Sequence, residues 1–138
     1  MGRNLRNWLR AYMEFTRETE SPDAYHFWTA ATLIGAATKR KVWLDMHFFK
    51  VFPNLYTFLV GPSGGRKSVA SDLGARIAKA AGIRQFSEKI TGAALIKDLA
   101  EAQENRVSSD STKIEFCSPL MIYSSELGVF MGPDAYIS

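Results

Sequence analysis

The sequence predicts an α/β fold of three layers, a mainly parallel sheet between helices, preceded by an N-terminal helical segment. Three observations carry this expectation. The nearly continuous apolar run Leu55 to Val60 reads as a strand buried on both faces. It passes through the octapeptide GPSGGRKS into a helical pattern, which gives the local order strand, loop, helix. A second strand-length run, Leu120 to Tyr123, can lie beside the first in a parallel sheet, with both C-terminal ends at the edge where such sheets bind ligands. Residues 1-52 then form helices and short strands packing on the core. Residues 53-138 form the core itself, incomplete at its C-terminus.

Taken in order, Leu5, Trp8, Leu9, Tyr12 and Met13 repeat at helical spacing, so residues 4-17 read as an amphipathic helix with Arg6, Arg10 and Arg17 opposite. Ser21 as N-cap and Pro22 at the first helical position start a second helix that runs to about Thr38. Its small residues, Ala30, Ala31, Gly35, Ala36 and Ala37, let another element approach closely, while Phe27, Trp28 and Ile34 supply bulk. Val42 to Met46 and Phe48 to Val51 read as short strands, and Pro53-Asn54 as a turn. From Lys67 the apolar positions Val69, Leu73 and Ile77 describe a helix ending near Gly82. Ile83 to Phe86 is the next strand, Thr91 caps a helix over 92-105 with Leu95, Leu99 and Ala102 inside, and Arg106 to Lys113 is a polar loop. The strand-like runs Ile114 to Cys117 and Leu120 to Tyr123 follow.

Composition narrows the class. A chain of 138 residues, 46% hydrophobic and 22% charged, supports one core and argues against disorder. A net charge of +3 is too small to demand a nucleic-acid partner. The lone Cys117 can make neither an internal disulfide nor a cysteine zinc site, and His26 and His47 do not suggest one either. No apolar run reaches the length of a membrane span and the N-terminus has no secretory core, so the expectation is a cytoplasmic protein with no membrane partner. The opening Met-Gly does not signal myristoylation, because Arg6 stands where Ser or Thr is required.

The octapeptide carries the chemistry. The pattern G-x-x-x-x-G-K-[ST] of a phosphate-binding loop is met at Gly61, Lys67 and Ser68, with Arg66 in place of the second glycine. Gly61, Gly64 and Gly65, with Pro62 and Ser63 between them, let the backbone curl so that amides face phosphate oxygens. The helix opening at Lys67 and Val69 adds its N-terminal amides and dipole. The Lys67 ammonium can reach the outer phosphates and the Ser68 hydroxyl can ligand magnesium. Residues 61-69 are thus the candidate site for ATP and Mg2+. If Arg66 needs positive φ, its side chain costs about 1–2 kcal/mol, which a phosphate contact could offset.

Hydrolysis also needs a carboxylate at the end of a neighbouring strand. The stretch PLMIYSSELG offers Glu126 after the Leu120 to Tyr123 run, in a Walker B layout where Ser125 replaces the usual aspartate. Glu126 is the candidate base and, through water, a candidate magnesium contact. With Lys67 it completes the candidate catalytic pair.

The segments FWTAATLIGAATKRKVWLD, FPNLYTFLVGPSGGRKS, ITGAALIKDL and SSELGVF resemble a group of phage and prophage replication ATPases of helicase or primase-helicase type. An arginine before the loop lysine and a glutamate-leucine after the second strand occur in that group. The resemblance implies a RecA-like or AAA+-like P-loop NTPase core using ATP and magnesium, DNA as the polymer acted on, and a homo-oligomeric ring in the full-length protein. It also implies further strands, a sensor residue and an arginine finger beyond Glu126, so the chain is expected to be the N-terminal portion of a longer ATPase. Two alternatives stay open. One is a nucleotide-binding or assembly module without turnover, favoured by Ser125. The other is a small-molecule kinase, for which no arginine-rich lid is visible.

Overall fold

The computed structural model describes residues 7–86, 92–107 and 114–125. Three helices build the described core. In the first, α1 (Trp8–Thr16), the Asn7 side chain accepts the Arg10 amide at 3.0 Å, an N-cap that satisfies one orphan donor of the first turn. Leu9, Tyr12 and Met13 face inward, as their spacing predicts. The second, α2 (Asp23–Thr38), starts later than expected. Pro22, not Ser21, holds the cap position, and its carbonyl accepts the amides of Tyr25 and His26 at 2.9 and 3.4 Å. Ser21 is buried instead, its hydroxyl without a partner among the described residues.

The third helix, α3 (Lys67–Ala80), packs on α2 through small residues. Ala70, Gly74 and Ala78 recur every four positions, share one face, and are all buried. A Cβ at Gly74 would collide with the Thr29 methyl, so the glycine sets how near the two helices come. Tyr12, Ala30, Leu33 and Ala78 form the core cluster, flanked by Leu9, Met13, Ile77, Ile83 and Met121. Burial of Leu33 alone contributes about 2 kcal/mol. The helix stops where the sequence places its end. Gly82 takes φ +71, Ile83 N–H donates to Ala78 O at 2.9 Å and Gly82 N–H to Lys79 O at 3.0 Å, the paired bonds of a Schellman motif.

The strands are short. In chain order they are β1 (Leu44–Asp45), β2 (Lys50–Val51), β3 (Gln85–Phe86), then after α4 (Gly92–Glu101) come β4 (Glu104–Val107), β5 (Ile114–Cys117) and β6 (Met121–Ile122). The pairs β1–β2 and β4–β5 are antiparallel, and β3–β6 is parallel. The molecule is therefore mixed α/β, with small sheets in place of one broad parallel sheet.

Three expectations are corrected. The helix expected over 92-105 ends at Glu101, because Glu104 to Val107 find a ladder partner in Ile114 to Cys117; Arg84 caps the helix end by donating to Glu101 O at 2.8 Å. Leu55 to Val60 forms no strand. Its exposure alternates: Tyr56, Phe58 and Val60 are 89%, 65% and 83% exposed, while Thr57 and Leu59 are partly buried. One face is covered, not two. Finally, the strand at Met121–Ile122 pairs with Gln85–Phe86 and not with the 55-60 segment. Among the described residues no helix is long and apolar enough to cross a membrane.

Candidate functional site

The 53-60 segment lies along α2 and is held by side chains. Thr57 and Thr32 hydroxyls meet at 2.7 Å; because the Thr32 proton goes to Trp28 O at 2.9 Å, Thr57 is the donor. At the other end the Tyr25 hydroxyl donates to Val60 O at 3.0 Å. Gly35 leaves room for Pro53, whose carbonyl oxygen lies where a Cβ would stand. These contacts, 35 with 53, 32 with 57 and 25 with 60, run in opposite chain directions along helix and segment.

Gly61 follows directly, and the loop turns at once. Gly65 N–H donates to Pro62 O at 3.2 Å, and Gly64 inside that turn takes φ +77 with nothing near where a side chain would be. Glycine is required there for backbone reasons alone. Arg66 is also left-handed, at φ 55 and ψ 26, in the cap position of α3. Its carbonyl accepts Val69 N–H at 3.2 Å, so the helix begins at Lys67 as the sequence indicates. Lys67 folds back across the loop. Its ammonium donates to Gly61 O at 2.7 Å and to Pro62 O at 2.8 Å. Ser68 and Ser63 are exposed, and Val69 is partly buried.

The Arg66 guanidinium meets a carboxylate here. Its Nε lies 2.8 Å from Glu20 Oε2, with both side chains more than half exposed. Such a pair contributes about 0–1 kcal/mol, less than the roughly 1–2 kcal/mol of left-handed strain. Glu20 is presented by a braced connection between α1 and α2. Thr19 donates its hydroxyl proton to Thr16 O at 2.8 Å and therefore accepts from His26 Nε2 at 2.6 Å. His26 is thus the Nε2–H tautomer, and its bare Nδ1 is buried without a partner among the described residues. Burial lowers the His26 pKa below the ordinary histidine value, against a smaller opposing effect of Asp23. Nearby, burial of Tyr12 pushes its phenol up to about 12.

Of the expected site residues, 61 to 69 are brought together at the head of α3. Glu126 lies outside the described residues. Just before it, Tyr123 donates its hydroxyl to Asp72 of α3, so the chain leaving β6 is tied to the helix that the loop opens. Sequence reading missed Tyr25 and Glu20. Neither belongs to a motif, and Tyr25 meets the loop across a separation of 35 residues, which no local pattern signals. No protein-family model, no curated protein and no solved structure matches this chain.

Proposed function

We propose that the chain binds ATP with magnesium through residues 61-69, as the P-loop domain of a phage-type DNA replication helicase or primase-helicase. One observation carries the reading. A glycine turn stands at the head of a 14-residue helix, with the Lys67 ammonium drawn back onto two carbonyls at the loop's mouth. Phosphate oxygens are stronger acceptors for an ammonium than carbonyls are, so the lysine has a ready exchange of partners. The residues suit a polyphosphate: first-turn amides at the positive end of α3, a cation, an exposed Ser68 hydroxyl for the metal, and open space around Gly64. Magnesium, when bound, neutralises charge developing on the transferred phosphoryl group.

In this reading Lys67 orients the outer phosphates, Ser68 contributes a metal contact, and Glu126 takes the proton of the attacking water. Ring assembly and action on DNA belong to the same proposal through the resemblance alone.

Calorimetry with ATP and magnesium tests it. Lys67→Ala removes a charge-assisted bond of about 1.5–3 kcal/mol, so affinity should fall at least ten-fold with the fold intact by circular dichroism. Equal affinities remove the claim. In the same series Glu126→Gln should keep binding and lose most turnover; binding by the native chain with no turnover to lose would favour the non-catalytic module.

A further inference from the structure

Gly61 opens the loop pattern, and the usual account of such a glycine is backbone access to phosphate. The structure points elsewhere. Gly61 does not have a left-handed φ; the positive-φ glycines among the described residues are Gly64 and Gly82. What Gly61 lacks is space. A Cβ there would overlap the Tyr25 hydroxyl, and the next atoms it would meet, Tyr25 Cζ at 3.4 Å and Lys67 Cδ at 3.9 Å, are in ordinary contact range. The same hydroxyl holds Val60 O at 3.0 Å, and Gly61 O in turn holds the Lys67 ammonium at 2.7 Å.

We infer that Tyr25 is a positioning residue for the candidate nucleotide loop, and that Gly61 is glycine to admit the Tyr25 hydroxyl. Tyr25, from the first turn of α2, fixes the carbonyl just before the loop. That carbonyl's neighbour, Gly61, supplies the acceptor that parks Lys67. Orientation of the ammonium therefore depends on a helix that contributes no residue of the loop pattern. This rests on the nucleotide-binding reading for its functional readout, while the interlock of 25 with 61 stands on geometry.

The two positions make a reciprocal test. Gly61→Ala should lower both thermal stability and ATP affinity, the latter several-fold, because either the loop or the Tyr25 ring that holds it must move. Tyr25→Phe removes the clashing atom and leaves the ring at contact distance. It should cost only a few-fold in affinity alone, through loss of the Val60 bond. The double variant Tyr25→Phe with Gly61→Ala should recover most of what Gly61→Ala lost, so the two substitutions are strongly non-additive. Calorimetry with magnesium and ATP, together with melting temperatures of all four proteins, reads this out. Additive losses in both measurements would overturn the inference and return Gly61 to a phosphate-access role. If the native chain binds no ATP, the nucleotide reading fails by itself, and melting temperatures still decide whether the interlock exists. A lysine-position readout completes the test: the Lys67 ammonium resonance by NMR should shift in Tyr25→Phe, whereas a purely structural Tyr25 would leave it unmoved.

Discussion

Arg66 shows what one side chain that departs from a sequence pattern costs the backbone. Its backbone is left-handed, at φ 55, in the position where the pattern has glycine, and the arginine bears the strain. Its guanidinium goes to Glu20 at 2.8 Å, an exposed pair too weak to offset that strain in full. Arg66→Gly should therefore raise stability by about 0.5–1 kcal/mol, seen as a melting temperature roughly 2–4 °C higher. ATP affinity should stay level or fall, because a cation beside the loop is lost. A glycine variant that binds and turns over ATP much better would show that the arginine is damage. The strain was legible in the sequence, since the motif names the position that needs glycine. The partner was not, because Glu20 belongs to a turn that no pattern connects to the loop.

At the level of elements, α2 does work that a neighbouring strand would usually do. Its Gly35 admits the Pro53 carbonyl, its Thr32 receives Thr57, and its Tyr25 holds Val60. Helix propensity alone favours Gly35→Ala by about 1 kcal/mol. Overlap with a backbone carbonyl, which cannot rotate away as a side-chain tip can, costs about 1–3 kcal/mol when the docked segment must shift. The clash should win, lowering stability by up to about 2 kcal/mol in urea denaturation; a variant more stable than the native chain would refute the docking. The run of small residues in α2 signalled this close approach in advance. The apolar 55-60 run misled, because continuous hydrophobicity does not distinguish a strand buried twice from a segment packed once with its other side bare. The helix expected to continue to residue 105 failed for a related reason. Glu and Asn are poor strand formers by themselves, so nothing local signals the change, and pairing with Ile114 to Cys117 decided it.

For the whole molecule, stability should depend on pH through His26. The folded state keeps this ring neutral, since a proton added at the buried Nδ1 would find no acceptor among the described residues, and its pKa lies below the unfolded value of about 6.5. Below that value the unfolded chain takes up a proton that the folded chain refuses. Stability is thus complete above about pH 6.5 and declines as pH falls, by at most about 1.4 kcal/mol per pH unit until the folded ring itself protonates. Tyr12 acts at the opposite end: with its phenol at about 12, stability is held below pH 10 and lost above it. Denaturation curves at pH 7 and pH 5 check the acid limb. The decline should flatten in His26→Gln, and an unchanged slope would exclude this histidine as its origin. The sequence showed a soluble-type composition and the positions of all three core helices. It could not show which strands pair, because β3 and β6 are two residues each and their partnership depends on where α3 and its glycine stop set the chain down.

The way α2 holds the 53-60 segment also constrains what lengths of chain this protein tolerates. In a sheet, register is set by a ladder that can slip and re-form one step along. Here it is set by three fittings of different kinds: a carbonyl in a glycine gap, a hydroxyl pair, and a phenol on a carbonyl. A slip by one residue would bring Tyr56 or Phe58 against Thr32, where neither can replace the Thr57 hydroxyl. Insertions and deletions are therefore barred between Pro53 and Gly61, yet admissible at the exposed tip of the β1–β2 hairpin around Phe48, upstream of the first fitting. Chain length is fixed on the loop side of Pro53 and adjustable at the hairpin tip before it.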